Sequence, residues 1–277
     1  RTTESNICAS EDDFYILFIT FDRIMEVRSH YRTVVISDVH LGSAYAKVKE
    51  VGDFLSSVDC DRLVLNGDII DGWQIQRKSA AKRWNSDYTR FMKIIMKMME
   101  NHNTEVIYLR GNHDDFLDNL VPVNLSNISF LRDYVLESEG HRFFVTHGDV
   151  FDSVTSKMEW LAKLGDISYT ALLKFNNFYN RMRARRGKPY FSMSQAIKHK
   201  VKKAVSFVSG FERMLADLAR SKHCDGVICG HIHYPENRMI DGIRYLNSGD
   251  WVESLSALIE DENGNWRIYR YRDEFLL

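Results

Sequence analysis

The chain has 277 residues, 44% of them hydrophobic and 27% charged, a globular composition that excludes disordered, collagenous and fibrous readings. Its 37 Lys and Arg against 38 Asp and Glu leave a net charge of −1, so no global field selects nucleic acid or an acidic partner, and any such preference is local. The four cysteines, at 8, 60, 224 and 229, match neither a CxxC metal or redox site nor a secreted disulfide scaffold, and reduced cytosolic thiols are the expectation.

In chain order, the apolar run Phe14 to Phe21 is far short of the roughly 20 residues a membrane-spanning helix needs. Glu11, Asp12 and Asp13 precede it where a secretory leader would be basic. Residues 1–30 therefore read as an N-terminal extension of uncertain structure. From position 32 short β-rich runs alternate with helical patterns, the signature of an α/β architecture. Val34-Val35-Ile36 leads into Ser-Asp-Val-His, and Val48, Val51, Leu55 and Val58 follow at helical spacing. Leu63-Val64-Leu65 leads into Asn-Gly-Asp; a helix is predicted with Tyr88, Phe91, Met92, Ile95, Met98 and Met99 on one face. Val106 to Leu109 then runs into Arg-Gly-Asn-His-Asp, Phe143-Phe144-Val145 into Thr-His-Gly-Asp, and Val227-Ile228-Cys229 into Gly-His-Ile-His. The remaining runs, Arg244 to Leu246, Ala257 to Ile259 and Trp266 to Tyr271, predict a closing antiparallel sheet.

Residues 153–222 break this rhythm, with a long helical pattern and no strand signal, and read as an inserted helical subdomain in a body formed by 31–152 and 223–277. The insertion holds fifteen Lys and Arg against four Asp and Glu, a net +11, which leaves the remainder at −12. Its aromatic and aliphatic residues, among them Trp160, Tyr169, Phe175 and Phe178, are expected mostly to pack on the body. A part could line a groove for lipid tails while Arg181, Arg183, Arg185 and Arg186 meet phosphates or an anionic membrane face. Single-stranded nucleic acid and a solvated basic face without ligand are the alternatives.

Five predicted strand ends carry metal-type side chains: Asp38 with His40, Asp68 with Asp71, Asn112 with His113, His147, and His231 with His233. In an open α/β sheet the carboxyl ends of strands are where ligands bind. Mixed imidazole and carboxylate donors suit Mn, Fe, Co or Zn, whereas calcium takes oxygen alone. Residues at i and i+2 of an extended segment point the same way, which lets Asp38 converge with His40 and His231 with His233. Glycines 67, 111, 148 and 230 adjoin these residues at the turns, where a positive φ or a close backbone approach favours glycine.

Asp38-Val-His40, Gly67-Asp68-Ile-Ile-Asp71, Gly111-Asn112-His113-Asp114, His147-Gly148-Asp149 and Gly230-His231-Ile-His233 resemble the motifs of the calcineurin-like metallophosphoesterases over about residues 33 to 255. The resemblance implies a sandwich of mixed β-sheets flanked by helices, with the insertion as a helical lid. It further implies two divalent ions, Mn2+ foremost, one held by Asp38, His40 and His233 and the other by Asn112, His147 and His231, with Asp68 shared. His113, oriented by Asp71, would then stabilise the transition state or protonate the leaving group, and a purely structural hydrogen bond is its alternative. Two ions about 3.5 to 4 Å apart acidify a water and neutralise phosphate oxygens, which answers the charge repulsion of a phosphoryl centre.

Within that superfamily, Ser-Asp-Val-His-Leu-Gly-Ser, Asn-Gly-Asp-Ile-Ile-Asp-Gly-Trp, Arg-Gly-Asn-His-Asp-Asp-Phe and Leu-Asn-Ser-Gly-Asp-Trp resemble the UDP-2,3-diacylglucosamine pyrophosphatases of lipid A synthesis. The best-known branch has Arg in place of His113, so the resemblance is to the sister branch with Gly-Asn-His-Asp. It implies a nucleotide-linked lipid substrate, no nucleic-acid partner, and a cytoplasmic enzyme peripheral on the inner membrane of a Gram-negative bacterium. A phosphodiesterase or nuclease, and a non-catalytic scaffold, are the competing expectations. A protein phosphatase would show Asp-Arg-Gly where Asp71-Gly-Trp stands.

Overall fold

The computed structural model describes residues 28–75, 85–151, 179–183, 185–186 and 207–271. In chain order the strands are β1 (Ser29–Ile36), β2 (Val58–Asn66), β3 (Glu105–Leu109), β4 (Val123–Leu125), β5 (Ile128–Leu131), β6 (Asp133–Ser138), β7 (His141–Thr146), β8 (Gly226–Cys229), β9 (Glu236–Ile240), β10 (Ile243–Asn247), β11 (Ser256–Glu260) and β12 (Trp266–Arg270). The helices are α1 (Val48–Ser57), α2 (Gly72–Ile75), α3 (Ser86–His102) and α4 (Phe207–Ser221). One sheet has the order β12-β11-β1-β2-β3-β5-β4 and the other β6-β7-β8-β10-β9. Among the described residues no helix is long and apolar enough to cross a membrane.

The strands are apolar on both faces because both faces are covered. Val34 and Ile36 of β1, Leu63 and Leu65 of β2, and Val106 and Tyr108 of β3 join Phe54 and Leu55 of α1 and Phe91 and Ile95 of α3 in one core. Their alternates Val35, Val64, Ile107 and Leu109 point the other way and pack against Phe143, Val145, Ile228 and Leu246 of the second sheet. That sheet turns Phe144, Val227, Cys229 and Tyr245 to a third core against Phe211, Leu215 and Ala219 of α4. The period of two along each strand thus builds four layers, helix, sheet, sheet and helix. This is the α/β sandwich of two mixed sheets that the motifs lead one to expect.

Several elements differ from the sequence reading. Val58 opens β2 instead of closing α1, and Met92 lies 38% exposed while Tyr88, Phe91, Ile95 and Met98 are buried. The three runs do not form one closing antiparallel sheet, although β12 is antiparallel to β11. β10 runs parallel to β8 in the second sheet, whereas β11 is antiparallel to β1 in the first, and the chain crosses between sheets through residues 248–255. The short strands β4, β5, β6 and β9 carry weak local signals because all four are mostly half-exposed or exposed. Of the extension 1–30, only residues from Arg28 are described, and Ser29 already belongs to β1. α4 comes from the end of the expected insertion, yet it covers the second sheet as a layer of the body. Apart from it, only 179–183 and 185–186 of that insertion lie within the described residues.

The face assignments are testable by substitution. Phe54, fully buried, stacks on Trp251 at 5.4 Å and meets Tyr269 at 4.4 Å, so Phe54→Ala should cost about 3–5 kcal/mol in urea unfolding. Met92→Ala on the exposed flank of α3 should stay within about 0.5 kcal/mol. Similar losses at the two positions would contradict the orientation of α1 and α3.

Candidate metal centre

β1, β2 and β3 are mutually parallel, as are β7 and β8. Their carboxyl ends meet where the two sheets touch. Asp38 Oδ2 accepts the His231 N–H at 3.0 Å, His147 Nδ1 lies 2.9 Å from the Asn66 carbonyl, and Asn66 Nδ2 donates to the Thr146 carbonyl at 3.2 Å. Five side chains at this seam stand on left-handed backbone, with φ of 54° at Asp38, 53° at His40, 53° at Asp68, 65° at His231 and 52° at His233. For residues with a Cβ each such conformation costs of order 1 kcal/mol or more, and such strain concentrates at functional sites. Neighbouring strands hold it in place: Asp38 N–H donates to the Gly67 carbonyl at 3.0 Å, His40 N–H to Asp68 at 2.9 Å, and Trp251 N–H to Asp38 at 3.1 Å.

The donor atoms of Asp38, His40 and His233 lie within 4.8 Å of one another, as do those of Asp68, His147 and His231, and those of His40, Asp71 and His113. His233 Nε2 is 3.0 Å from Asp38 Oδ1. Asp68 Oδ2 lies 3.4 Å from His147 Nε2 and 3.9 Å from His40 Nε2, so this one carboxylate reaches both imidazole groups. Asn112 is bracketed against it: His113 N–H donates to Asp68 Oδ1 at 2.8 Å, and a Cβ on Gly111 would fall 2.2 Å from that same oxygen. Gly230 is equally constrained, its absent Cβ lying 2.6 Å from Asp38 Oδ2. His113 Nδ1 is 3.3 Å from Asp71 Oδ1.

The buried carboxylates and imidazoles of this cluster shift one another's protonation. Burial opposes ionisation of Asp38 and Asp68, yet the facing imidazoles, His233 and His147 for the first, His147 and His40 for the second, hold both carboxyls well below the usual range. Burial likewise disfavours the His147 cation, but Asp68 and Asp38 override it and push the imidazole up to about 10. His40 is lowered, chiefly by burial. For His113, burial is outweighed by Asp71 and Asp68 and the ring is raised. Two buried polar atoms, Asn112 Oδ1 and His147 Nε2, have no hydrogen-bond partner, an arrangement that costs free energy unless something else fills the space. A divalent cation fits these donors in charge, softness and number.

Three residues beyond those predicted shape the site. Asp114, fully buried, accepts from Ile69 N–H at 3.2 Å, Ile70 N–H at 2.9 Å and the Tyr108 hydroxyl at 3.1 Å, so it clamps the loop between Asp68 and Asp71. Burial and the nearby Asp68 charge push its carboxyl up to about 6. Trp73, 47% exposed, lays its ring 4.2 Å from that of His113, and Phe116, 41% exposed, packs over Gly72. All three stood inside quoted motifs, but their roles depend on which loop folds beside which. Arg181, Arg185 and Arg186 are exposed, without an ion pair to any described carboxylate, and Arg183 lies over the Tyr179 ring at 5.8 Å.

A family model described as calcineurin-like phosphoesterase matches residues 31–235, which include every residue of this centre. The chain belongs to the calcineurin-like phosphoesterase family. It is thereby a metal-dependent hydrolase of phosphate esters. Solved structures similar to it include an archaeal phosphodiesterase, 14% identical over 86% of this chain and 98% of that one, with a TM-score of 0.40. An E. coli phosphoesterase is 16% identical over 87% and 93%, with a TM-score of 0.43. A Thermotoga maritima protein is 14% identical over 87% and 98%, with a TM-score of 0.40. No curated protein matches the chain.

Asp114→Ala would leave the N–H groups of Ile69, Ile70 and Gly111 and the Tyr108 hydroxyl without that acceptor, so it should cost about 3 kcal/mol of stability. A loss under about 1 kcal/mol in denaturant titration would show that Asp114 does not clamp the loop.

Proposed function

We propose that the chain hydrolyses the pyrophosphate of UDP-2,3-diacylglucosamine, giving UMP and 2,3-diacylglucosamine 1-phosphate. Asp38, His40 and His233 hold one divalent ion in this reading, Asn112, His147 and His231 hold a second, and Mn2+ is the expected metal. The observation that carries the dinuclear reading is Asp68 Oδ2, which faces His147 and His40 at once. When bound, the two ions supply Lewis acidity toward phosphate oxygens and toward water.

The protein groups do the positioning. Asp71 faces His113 Nδ1 and helps to raise the ring, which favours the doubly protonated imidazolium, whose Nε2–H could donate to a phosphate oxygen or the leaving group. Trp73 fixes the ring from the side. Trp73, Ile75 and Phe116, at 47%, 37% and 41% exposure, give the site an apolar rim that favours a substrate with an acyl or ring portion over a bare phosphate. Arg181, Arg183, Arg185 and Arg186 are assigned to the second phosphate or to an anionic membrane face, which fits a peripheral location on the cytoplasmic side. The same exposed Trp73 ring would suit a stacked base, the feature that keeps a nucleotide phosphodiesterase or nuclease as the second reading.

Asp68→Ala should lower turnover about a thousandfold or more, some 4 kcal/mol of barrier, and should strip bound metal as measured by elemental analysis. Wild-type turnover or metal content in that variant would overturn the shared-ligand role. His113→Ala should lose about 10²- to 10⁴-fold in rate while keeping its metal. In a substrate panel with Mn2+, the lipid pyrophosphate should be cleaved and oxygen-18 from water should appear in UMP. Fast cleavage of single-stranded DNA or a cyclic nucleotide without cleavage of the lipid would refute the substrate and leave the metal centre standing.

A further inference from the structure

The second feature of chemical interest is a groove between α1 and α3, with a volume of about 590 Å3 and no residue in common with the metal centre. Arg28, Arg90, Lys93, Lys97 and His102 line it, over a floor that includes Ile94 and Met98. On α3, Arg90, Lys93 and Lys97 follow the three- and four-residue spacing of one helix face. Tyr88, Phe91 and Ile95 are buried on the opposite face, and Met98 lies between the two.

Two of the cations are set in place before any ligand arrives. Arg90 donates to Asp53 Oδ1 at 2.7 Å and to Ser56 Oγ at 3.4 Å. It lies across α1 where Gly52 leaves room, a Cβ there falling 3.4 Å from the guanidinium. Arg28 donates to Asp59 Oδ1 at 3.1 Å, and His102 Nε2 is 3.5 Å from the same oxygen. Lys93 and Lys97 are exposed and have no carboxylate partner among the described residues. Arg28, Arg90, Lys93 and Lys97 therefore stand beside two paired carboxylates, Asp53 and Asp59, a local surplus of two positive charges on a body whose sequence is otherwise acidic.

We infer that this groove is a binding site for a phosphate-bearing ligand, separate from the catalytic centre. Its lining offers Arg forks, Lys ammonium groups and the hydroxyls of Ser56, Ser86 and Thr89, donors that match a doubly charged, acceptor-rich anion. Its volume is in the range of ligand pockets and exceeds what one phosphate fills, so the phosphate is attached to a larger group. That group is either a soluble phosphorylated molecule or a lipid whose headgroup enters the groove. The inference is independent of the substrate proposed for the metal centre.

Lysine acetylation read by mass spectrometry on the full, metal-loaded chain gives a local test, with Lys49, outside the groove, as the internal reference. Inorganic pyrophosphate, against sodium chloride of equal ionic strength, should slow modification of Lys93 and Lys97 about threefold when two thirds of the sites are filled, with Lys49 unchanged. Arg28→Gln/Arg90→Gln should lose that protection while hydrolysing bis(p-nitrophenyl) phosphate at the wild-type rate, which also shows that it is folded. Protection by vesicles of phosphatidylcholine and phosphatidylglycerol in equal parts, without protection by pyrophosphate, would identify the ligand as a lipid headgroup. Absence of protection by either probe, or equal protection in the variant, would overturn the proposal.

Discussion

Everything functional in this protein depends on the contact between two sheets at the carboxyl ends of their parallel strands. Asp38 and Asn66 make the join, Asn66 through Thr146 and His147. Asp38 leaves β1, accepts the His231 N–H from the loop after β8, and faces the His233 ring. The sheets can approach this closely because no Cβ stands at Gly67 or Gly230, where one would collide with the His147 ring and with the Asp38 carboxylate. An alanine at either position would have to displace a metal-type side chain, so here the packing of the sandwich and the geometry of the centre are a single constraint.

The same seam stores unfavourable free energy. Five residues adopt left-handed backbone, and buried polar atoms of Asn112 and His147 lack hydrogen-bond partners. Each feature costs about 1–3 kcal/mol, and the three cores built by strand alternation supply the stability that offsets them. A divalent ion would relieve part of this cost, since it would engage the polar atoms that lack hydrogen-bond partners. Its binding is therefore coupled to the stability of the fold.

Charge is distributed by region. The metal centre concentrates carboxylates and imidazoles at one end of the strands, whereas the groove between α1 and α3 concentrates Arg and Lys on the outer helical layer. The near-neutral total hides both. Around the centre, Trp73 and Phe116 present apolar surface at the rim while Asp114 and Asp71 work beneath it. The division separates groups that face a substrate from groups that hold the loops on which those groups stand.

The sequence by itself determined the α/β class, the strands β1, β2, β3, β7 and β8, and the nine residues at their ends, because period-two burial and turn chemistry are local properties of a chain. It also showed that α3 is amphipathic, although not that Met92 lies outside its buried face. Tertiary structure alone decided which sheet β10, β11 and β12 would join, and that α4 would serve as a layer of the body. It decided that Asp38 and His231, 193 residues apart, would share a hydrogen bond, that Asp68 would face both imidazole groups, and that Asp114 would hold the loop before Asp71. Partners of that kind are chosen by close approach between backbones distant in the chain, and no local pattern of residues encodes such a distance.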